Sequence, residues 1–125
     1  MADFSQVKSS IHEERTHRIR ILGTGAANPV IEVGQRVTIT RTAAGVWRID
    51  WLDHPGTFVG ATYMGGALVS SDVKGQSLTR GVPVTSAAGV LSITFSWWSP
   101  TFVADELLAT EYIDFTIVFA ATKVP

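Results

Sequence analysis

A chain of 125 residues with a formal net charge of −1 has the length of one domain and carries no field that would draw it to nucleic acid or an anionic membrane. The absence of cysteine excludes a disulfide framework and a thiol nucleophile and fits assembly in a reducing cytosol, and no apolar run reaches the ~18 residues of a membrane span. Hydrophobic residues nonetheless make up 46% of the chain, four of them tryptophan, which points to apolar surface covered by other chains.

The chain opens on MADFSQVKSS, which has no basic stretch followed by an apolar one, so no signal peptide is expected. Residues 1–16 are polar and only weakly helical in pattern over 2–12. They read as an amino-terminal arm ahead of a β-domain at 17–125. Phe4, Val7 and Ile11 fall at i, i+3 and i+7, enough to anchor a short helix on a neighbour, with Arg15 and Arg18 as polar contacts. A free tail is the alternative.

HEERTH (12–17) has the look of a zinc-protease HExxH motif, but its histidines are at i and i+5. On a helix that sets them about 140° apart, and on a strand an odd spacing puts them on opposite faces. The one other histidine is His54, so no metal site and no cofactor are expected.

From His17 onward the dominant period is two. HRIRIL sets Ile19 and Ile21 against Arg18 and Arg20, and QRVTITRT sets Val37 and Ile39 against Arg36, Thr38 and Thr40. GVWRIDWL gathers Trp47, Ile49 and Trp51 on one face, while TFVGATYM and GALVSS read as two strands separated by a bend at Gly65-Gly66. VLSITFSW turns Leu91, Ile93, Phe95 and Trp97 inward, and EYIDFTIVFAAT does the same with Ile113, Phe115, Ile117 and Phe119. Each is a half-buried strand by alternation and by its β-branched and aromatic content. GTGAANP, TAAG, DHPG, DVKG and TSAAG supply the turns between them. ADELLAT (104–110) reads as a short helical insertion. The sum, about eight short strands, is an all-β, single-domain β-sandwich or jelly roll.

AAGVWRIDW (43–51) and AAGVLSITF (87–95) align without a gap, and Thr-Phe-Val recurs at the same offset, at 57–59 and 101–103. This is either a duplicated strand unit, with equivalent hairpins in the two sheets, or the repeated grammar of small-residue hairpin turns.

Catalytic constellations are missing from the pattern. GTGAAN (23–28) has the first two glycines of a dinucleotide loop, but Asn28 stands at the third glycine's place and no long helix follows. Glu13/Glu14 and Asp105/Glu106 are adjacent pairs that diverge on a helix or strand, and Asp50, Asp53 and His54 have no nucleophile beside them. The reading is a non-enzyme without a small-molecule substrate.

Two features ask for partners. Neighbouring strand residues face opposite ways, so an inward Trp97 sends Trp98 outward, as an interface anchor or as a ring covered by a loop of its own chain. Between Gly81 and Thr122 the chain holds Asp105, Glu106, Glu111 and Asp114 and no basic residue, whereas Lys8, Arg15, Arg18 and Arg20 concentrate near the start. Complementary ends could steer neighbouring subunits together.

The segment GQRVTITRTAAGVWRIDWLDHPGTFVGATYMGGA (34–67) resembles small β-rich structural proteins of tailed bacteriophages. The resemblance lies in a polar strand ending in Thr40-Arg41-Thr42, the small-residue turn Ala43-Ala44-Gly45, an alternating aromatic strand from Val46 to Leu52, and the loop His54-Pro55-Gly56. It covers about a quarter of the chain. It implies a virion protein made in the host cytoplasm, of the capsid decoration (cement) type, seated on the capsid exterior over the major capsid protein. A tail-fibre or baseplate module and a carbohydrate-binding β-sandwich are the alternatives. The apolar excess and the outward Trp98 predict a homo-oligomer, a trimer first of all.

Overall fold

Alternation is the organising fact of the structure, a computed structural model that describes residues 14–67 and 76–120. Nine strands form among these residues, with no helix: β1 (Glu14–Leu22), β2 (Val30–Val33), β3 (Val37–Ala43), β4 (Val46–Trp51), β5 (Thr57–Ala67), β6 (Ser77–Arg80), β7 (Val84–Thr85), β8 (Leu91–Trp98) and β9 (Glu111–Ala120). They pair into two antiparallel sheets. One has the order β2-β1-β9-β5; the other runs β3-β4-β8-β6, with β7 also on β8. The two sheets face each other as a sandwich.

The core is the set of residues that the alternation turns inward. Along β8 buried and half-buried residues alternate without a break, and β9 does the same up to its last residue. Ile19, Ile21, Trp47, Ile49, Trp51, Leu91, Ile93, Phe95, Trp97, Ile113, Phe115, Ile117 and Phe119 are all buried, while Val37 packs half-buried at the margin. Phe95 and Phe115 meet across the sandwich with ring centroids 4.8 Å apart, and Trp51 meets Phe119 edge-on at 5.4 Å. Such offset pairs add ~0.5–1.5 kcal/mol to the area they bury.

The strand pairing corrects several sequence readings. Residues 14–16 belong to β1 rather than to an arm: Glu14, Arg15 and Thr16 pair with Ala120, Phe119 and Val118 of β9. The remaining arm residues, with Phe4, Val7, Ile11 and His12, lie outside the described residues. The bend expected at Gly65-Gly66 is absent, and β5 runs straight through both glycines in register with Ile113 and Tyr112. The glycines serve ring packing instead. A Cβ on Gly65 would stand 2.8 Å from Cη2 of Trp97, and one on Gly66 2.5 Å from Cζ of Tyr112.

Residues 104–110 form no helix. Seven residues gain too few hydrogen bonds to offset helix nucleation, and tertiary contacts claim them individually. Ala104 bridges to Trp98, the Asp105 amide donates to the Trp97 carbonyl, and Leu107 is buried. Glu106 pairs with Arg41 and accepts the Gly45 amide at 3.0 Å. The aligned segments 43–51 and 87–95 do not form equivalent hairpins in opposite sheets. Their strands β4 and β8 lie side by side in one sheet, with Trp47 opposite Phe95 and Trp51 opposite Leu91.

Candidate binding surface

The polar residues singled out as possible chemistry do not converge. Asp50 accepts hydrogen bonds from Arg48 Nε at 3.0 Å and from the Ser92 hydroxyl at 2.5 Å. Asp53 pairs with Arg36, and His54 shares a 3.2 Å contact with the Thr85 hydroxyl while its Nδ1 accepts the Gly56 amide. Asp105 bonds Gln76 while Glu106 bonds Arg41, so the adjacent carboxylates diverge. Glu13 lies outside the described residues. Among the described residues no cluster of three His, Cys, Asp or Glu side chains could hold a metal ion.

The charge asymmetry along the chain is matched inside one subunit. Arg20 and Asp114 are direct cross-strand partners and form a two-pronged ion pair, with distances of 2.6 and 3.0 Å. Glu106, from the acidic part of the chain, is taken by Arg41. Asp114 and Glu106 are therefore engaged within their own subunit. Antiparallel pairing of β1 with β9 brings the basic start onto the acidic end. The side chains of Arg15 and Arg18 have no ion pair or hydrogen bond among the described residues, and both residues are exposed.

Three surfaces stand out among the described residues. The first is a groove of about 500 Å³ beside β1, lined by residues including Thr16, His17, Arg18, Gly34, Arg36 and Trp51. β2 pairs with β1 only at Arg20, Ile21 and Leu22. The chain then leaves the sheet through Gly34 (φ 140°) and Arg36 (φ 57°). The left-handed Arg36 is held in place, since its carbonyl accepts the Leu52 amide at 2.9 Å and its side chain pairs with Asp53. His17 faces inward at one end, its ring edge-on to Phe119 at 5.2 Å.

Burial first, and the charge of Arg15 second, push the His17 pKa below its ordinary 6.5. The unfolded chain therefore binds a proton where the native chain does not. His17's contribution to stability is complete above pH 6.5 and is lost as pH falls through the lowered folded value. An NMR titration should place His17 below 6.5, and His17→Gln should flatten that part of the stability profile. A ring titrating at or above 6.5 contradicts the packing described.

The second surface is the tip of the β8 hairpin. Trp98 points away from the core, as the alternation requires, and is half-buried, its indole N–H donating to the Thr79 hydroxyl at 2.8 Å. Its own chain thus covers part of the ring. Beyond it, Ser99 and Val103 close a tight loop: the Ser99 amide donates to the Val103 carbonyl and the Phe102 amide to the Ser99 carbonyl, both at 2.9 Å. The Ser99 hydroxyl oxygen accepts the Thr101 and Val103 amides.

This loop holds Phe102 in the left-handed region, φ 62°, with 81% of its surface exposed. An aromatic residue in that conformation is strained by about 1–2 kcal/mol, and here no burial offsets the cost. Phe102 is the residue that strand periodicity missed; the Ser99-Pro100-Thr101 turn ahead of it is the signal. Phe102→Asn, which tolerates the left-handed conformation, should leave stability unchanged or raise it by up to about 1 kcal/mol in urea unfolding. A clear loss would mean that Phe102 packs against its own chain.

The third surface is β5. Its outer edge pairs with no described strand. Ala61, Tyr63 and Gly65 share the inward phase of Ile117, Phe115 and Ile113, yet all three are exposed. The facing sheet ends in short β6, whose Leu78 amide donates to the Tyr63 hydroxyl and whose Arg80 lies over the Phe58 ring. None of the eleven residues of β5 is charged.

Among the described residues expected to act together, Arg15, Arg18 and Trp98 do not share a face. Arg15 takes the inward phase of β1 and Arg18 the outward phase, through their partners Phe119 and Thr116. Trp98 lies on the outer face of the other sheet. Phe4, Val7 and Ile11 fall outside the described residues. The chain matches no protein-family model, no curated protein and no solved structure.

Proposed function

We propose that this protein is a non-catalytic virion structural protein of a tailed bacteriophage, a capsid decoration protein that seats on the outer surface of the major capsid protein lattice and associates with itself, first of all as a trimer. The observation that carries its associating character is β5: eleven residues without a charge at a sheet edge, with core-phase residues left in solvent. Native sheets ordinarily blunt such edges with charges, prolines or bulges. β5 has a bulge near its start, between Phe58 and Gly60, and nothing of the kind from Gly60 to Ala67. The phage setting rests on the resemblance of residues 34–67.

Function in this reading is binding free energy alone. A ligand that prefers the assembled lattice over the free subunits stabilises it by mass action. Carbohydrate binding has less support. The outer-face groove of about 370 Å³ offers Arg48, Asp50, Ser92 and Thr94, but its walls are Val82, Val84 and Val90 rather than an aromatic platform. Trp47, Trp51 and Trp97 are all in the core.

Co-sedimentation with expanded phage heads, against retention on polysaccharide beads, tests the proposal. Saturable attachment to heads and none to beads is the expected result. Retention on beads alone overturns it, and a clean monomer both in analytical ultracentrifugation and on the particle overturns the trimer.

A further inference from the structure

β1 pairs along its whole length with β9, from Glu14 to Leu22, but with β2 only from Arg20 to Leu22. The six residues from Glu14 to Ile19 therefore have one edge without a ladder partner among the described residues, and no turn or loop hydrogen bond reaches them. At about 3.3 Å per residue this is a lane about 20 Å long. Its upper end is fixed by Gly34. A Cβ there would lie 3.3 Å from Ile31, 3.4 Å from Val37 and 3.5 Å from Ile19, so the chain turns over Ile19 and crosses to the other sheet. Below that point no described residue occupies the position in the sheet that β2 would have continued. The groove of about 500 Å³ lies there, reaching Trp51 and Val37 of the facing sheet.

Three charged side chains of the lane itself are exposed without an ion pair among the described residues: Glu14 at its far end, Arg15 and Arg18. Asp53, the acid in the groove lining, is already paired with Arg36. Arg15 and Arg18 are exposed, their guanidinium groups have no ion-pair or hydrogen-bond partner among the described residues, and they stand on opposite faces of the strand. A strand added here would meet an arginine on each face. Between them, on the inward face, it would meet His17 and the apolar wall of Ile19 and Trp51.

We propose that the free edge of β1 at Glu14–Ile19 is a strand-acceptor site, which takes an extended segment of a partner protein carrying carboxylates on both faces and an apolar residue on its inward face. Backbone amides and carbonyls supply affinity, as in other cases of strand addition. The two arginines and the His17 end of the groove supply register and selectivity. This deepens the decoration reading by naming the chemistry of the contact and rests on it only for the identity of the partner.

The test uses the full chain and a capped seven-residue peptide, Thr-Glu-Thr-Val-Glu-Val-Thr, whose two glutamates, three apart, fall on opposite faces of a strand while its valines share one face; the control carries lysine in place of both glutamates. Hydrogen exchange of the amides of residues 14–19 is the readout. In the protein alone, the amides of this stretch not bonded to β9 should exchange fast, and the glutamate peptide should slow them. Arg15→Glu/Arg18→Glu should weaken that peptide at least about tenfold, leave the melting temperature unchanged, and bind the lysine peptide instead. Rescue by reversed charge is a result that a merely structural role for the arginines would not give.

Failure of both peptides, or equal binding of the two, overturns the proposal. Slow exchange of all these amides in the protein alone also overturns it, because the lane is then filled by the chain's own residues 1–13 or by a second copy. The same double variant on phage heads keeps the two readings apart. Attachment that persists while peptide binding fails leaves the decoration reading standing without the lane. Peptide binding without attachment to heads does the reverse.

Discussion

Phe119→Ala is expected to cost about 3–5 kcal/mol in urea unfolding, a large part of the ~5–15 kcal/mol available to a domain of this size. Phe119 is fully buried near the end of β9 and joins three other rings edge-on: His17 at 5.2 Å, Trp51 at 5.4 Å and Phe58 at 6.1 Å. These rings come from both sheets, so none of them can follow the missing one inward without dragging a strand. The cavity therefore stays largely open, which is the condition for the upper part of that range. Phe119→Leu, which keeps most of the volume, should cost far less.

A second readout distinguishes cavity formation from general loosening. His17 owes its lowered pKa first to burial, and part of that burial is contact with the Phe119 ring. In Phe119→Ala the His17 pKa should move back up towards 6.5. A loss below about 1 kcal/mol with an unmoved histidine would show that the ring cluster is not the keystone of this end of the sandwich.

Gly45→Ala is expected to destabilise the fold by about 2–5 kcal/mol, summing the left-handed penalty for an L-residue and the cost of overpacking. Gly45 turns the chain from β3 to β4 with φ 69°, and a Cβ there would lie 2.4 Å from the Asp105 carbonyl oxygen and 2.8 Å from the Asp105 nitrogen. Both obstacles are backbone, so no rotamer change relieves them. The residue is clamped from two sides: its carbonyl accepts the Trp97 amide at 2.8 Å, and its amide donates to Glu106 at 3.0 Å.

Displacing the 105–106 segment should also change the acid limb of stability. Hydrogen bonds from Arg41 first, and the Gly45 amide as well, hold the Glu106 carboxyl below its ordinary 4.5 against the opposing effect of burial. A carboxylate of lowered pKa contributes stability that is complete above 4.5 and is lost as pH falls through the folded value. Unfolding measured from pH 6 down to about pH 3 should show that loss in the native chain, and less of it in Gly45→Ala and in Glu106→Gln. An unchanged acid limb in both variants would mean that Glu106 is not held as described.

What the sequence determines by itself is the phase of each long strand. In β8 and β9 every residue turned inward by a period of two is buried, because a sheet with one covered face leaves its apolar residues no other place. The separation of Arg15 from Arg18 follows from the same local geometry, since they are three residues apart and therefore on opposite faces of any strand that holds both.

Tertiary structure decides everything that depends on which strand lies next to which. Pairing β1 with β9 is a choice between segments about a hundred residues apart, and alternation carries no information about it. That choice joins Arg20 to Asp114 and draws Glu14 to Thr16 out of the arm. Residues 104–110 have helical propensity, but Trp98, Arg41 and the Leu107 pocket each take one of them, and three tertiary contacts outweigh two helical turns. Gly65 and Gly66 signal a bend until Trp97 and Tyr112 are laid against them. The lane beside β1, unpaired among the described residues, exists because β2 stops at Val33 and Gly34 sends the chain across to the other sheet, and that is a relation between strands that no single stretch of sequence contains.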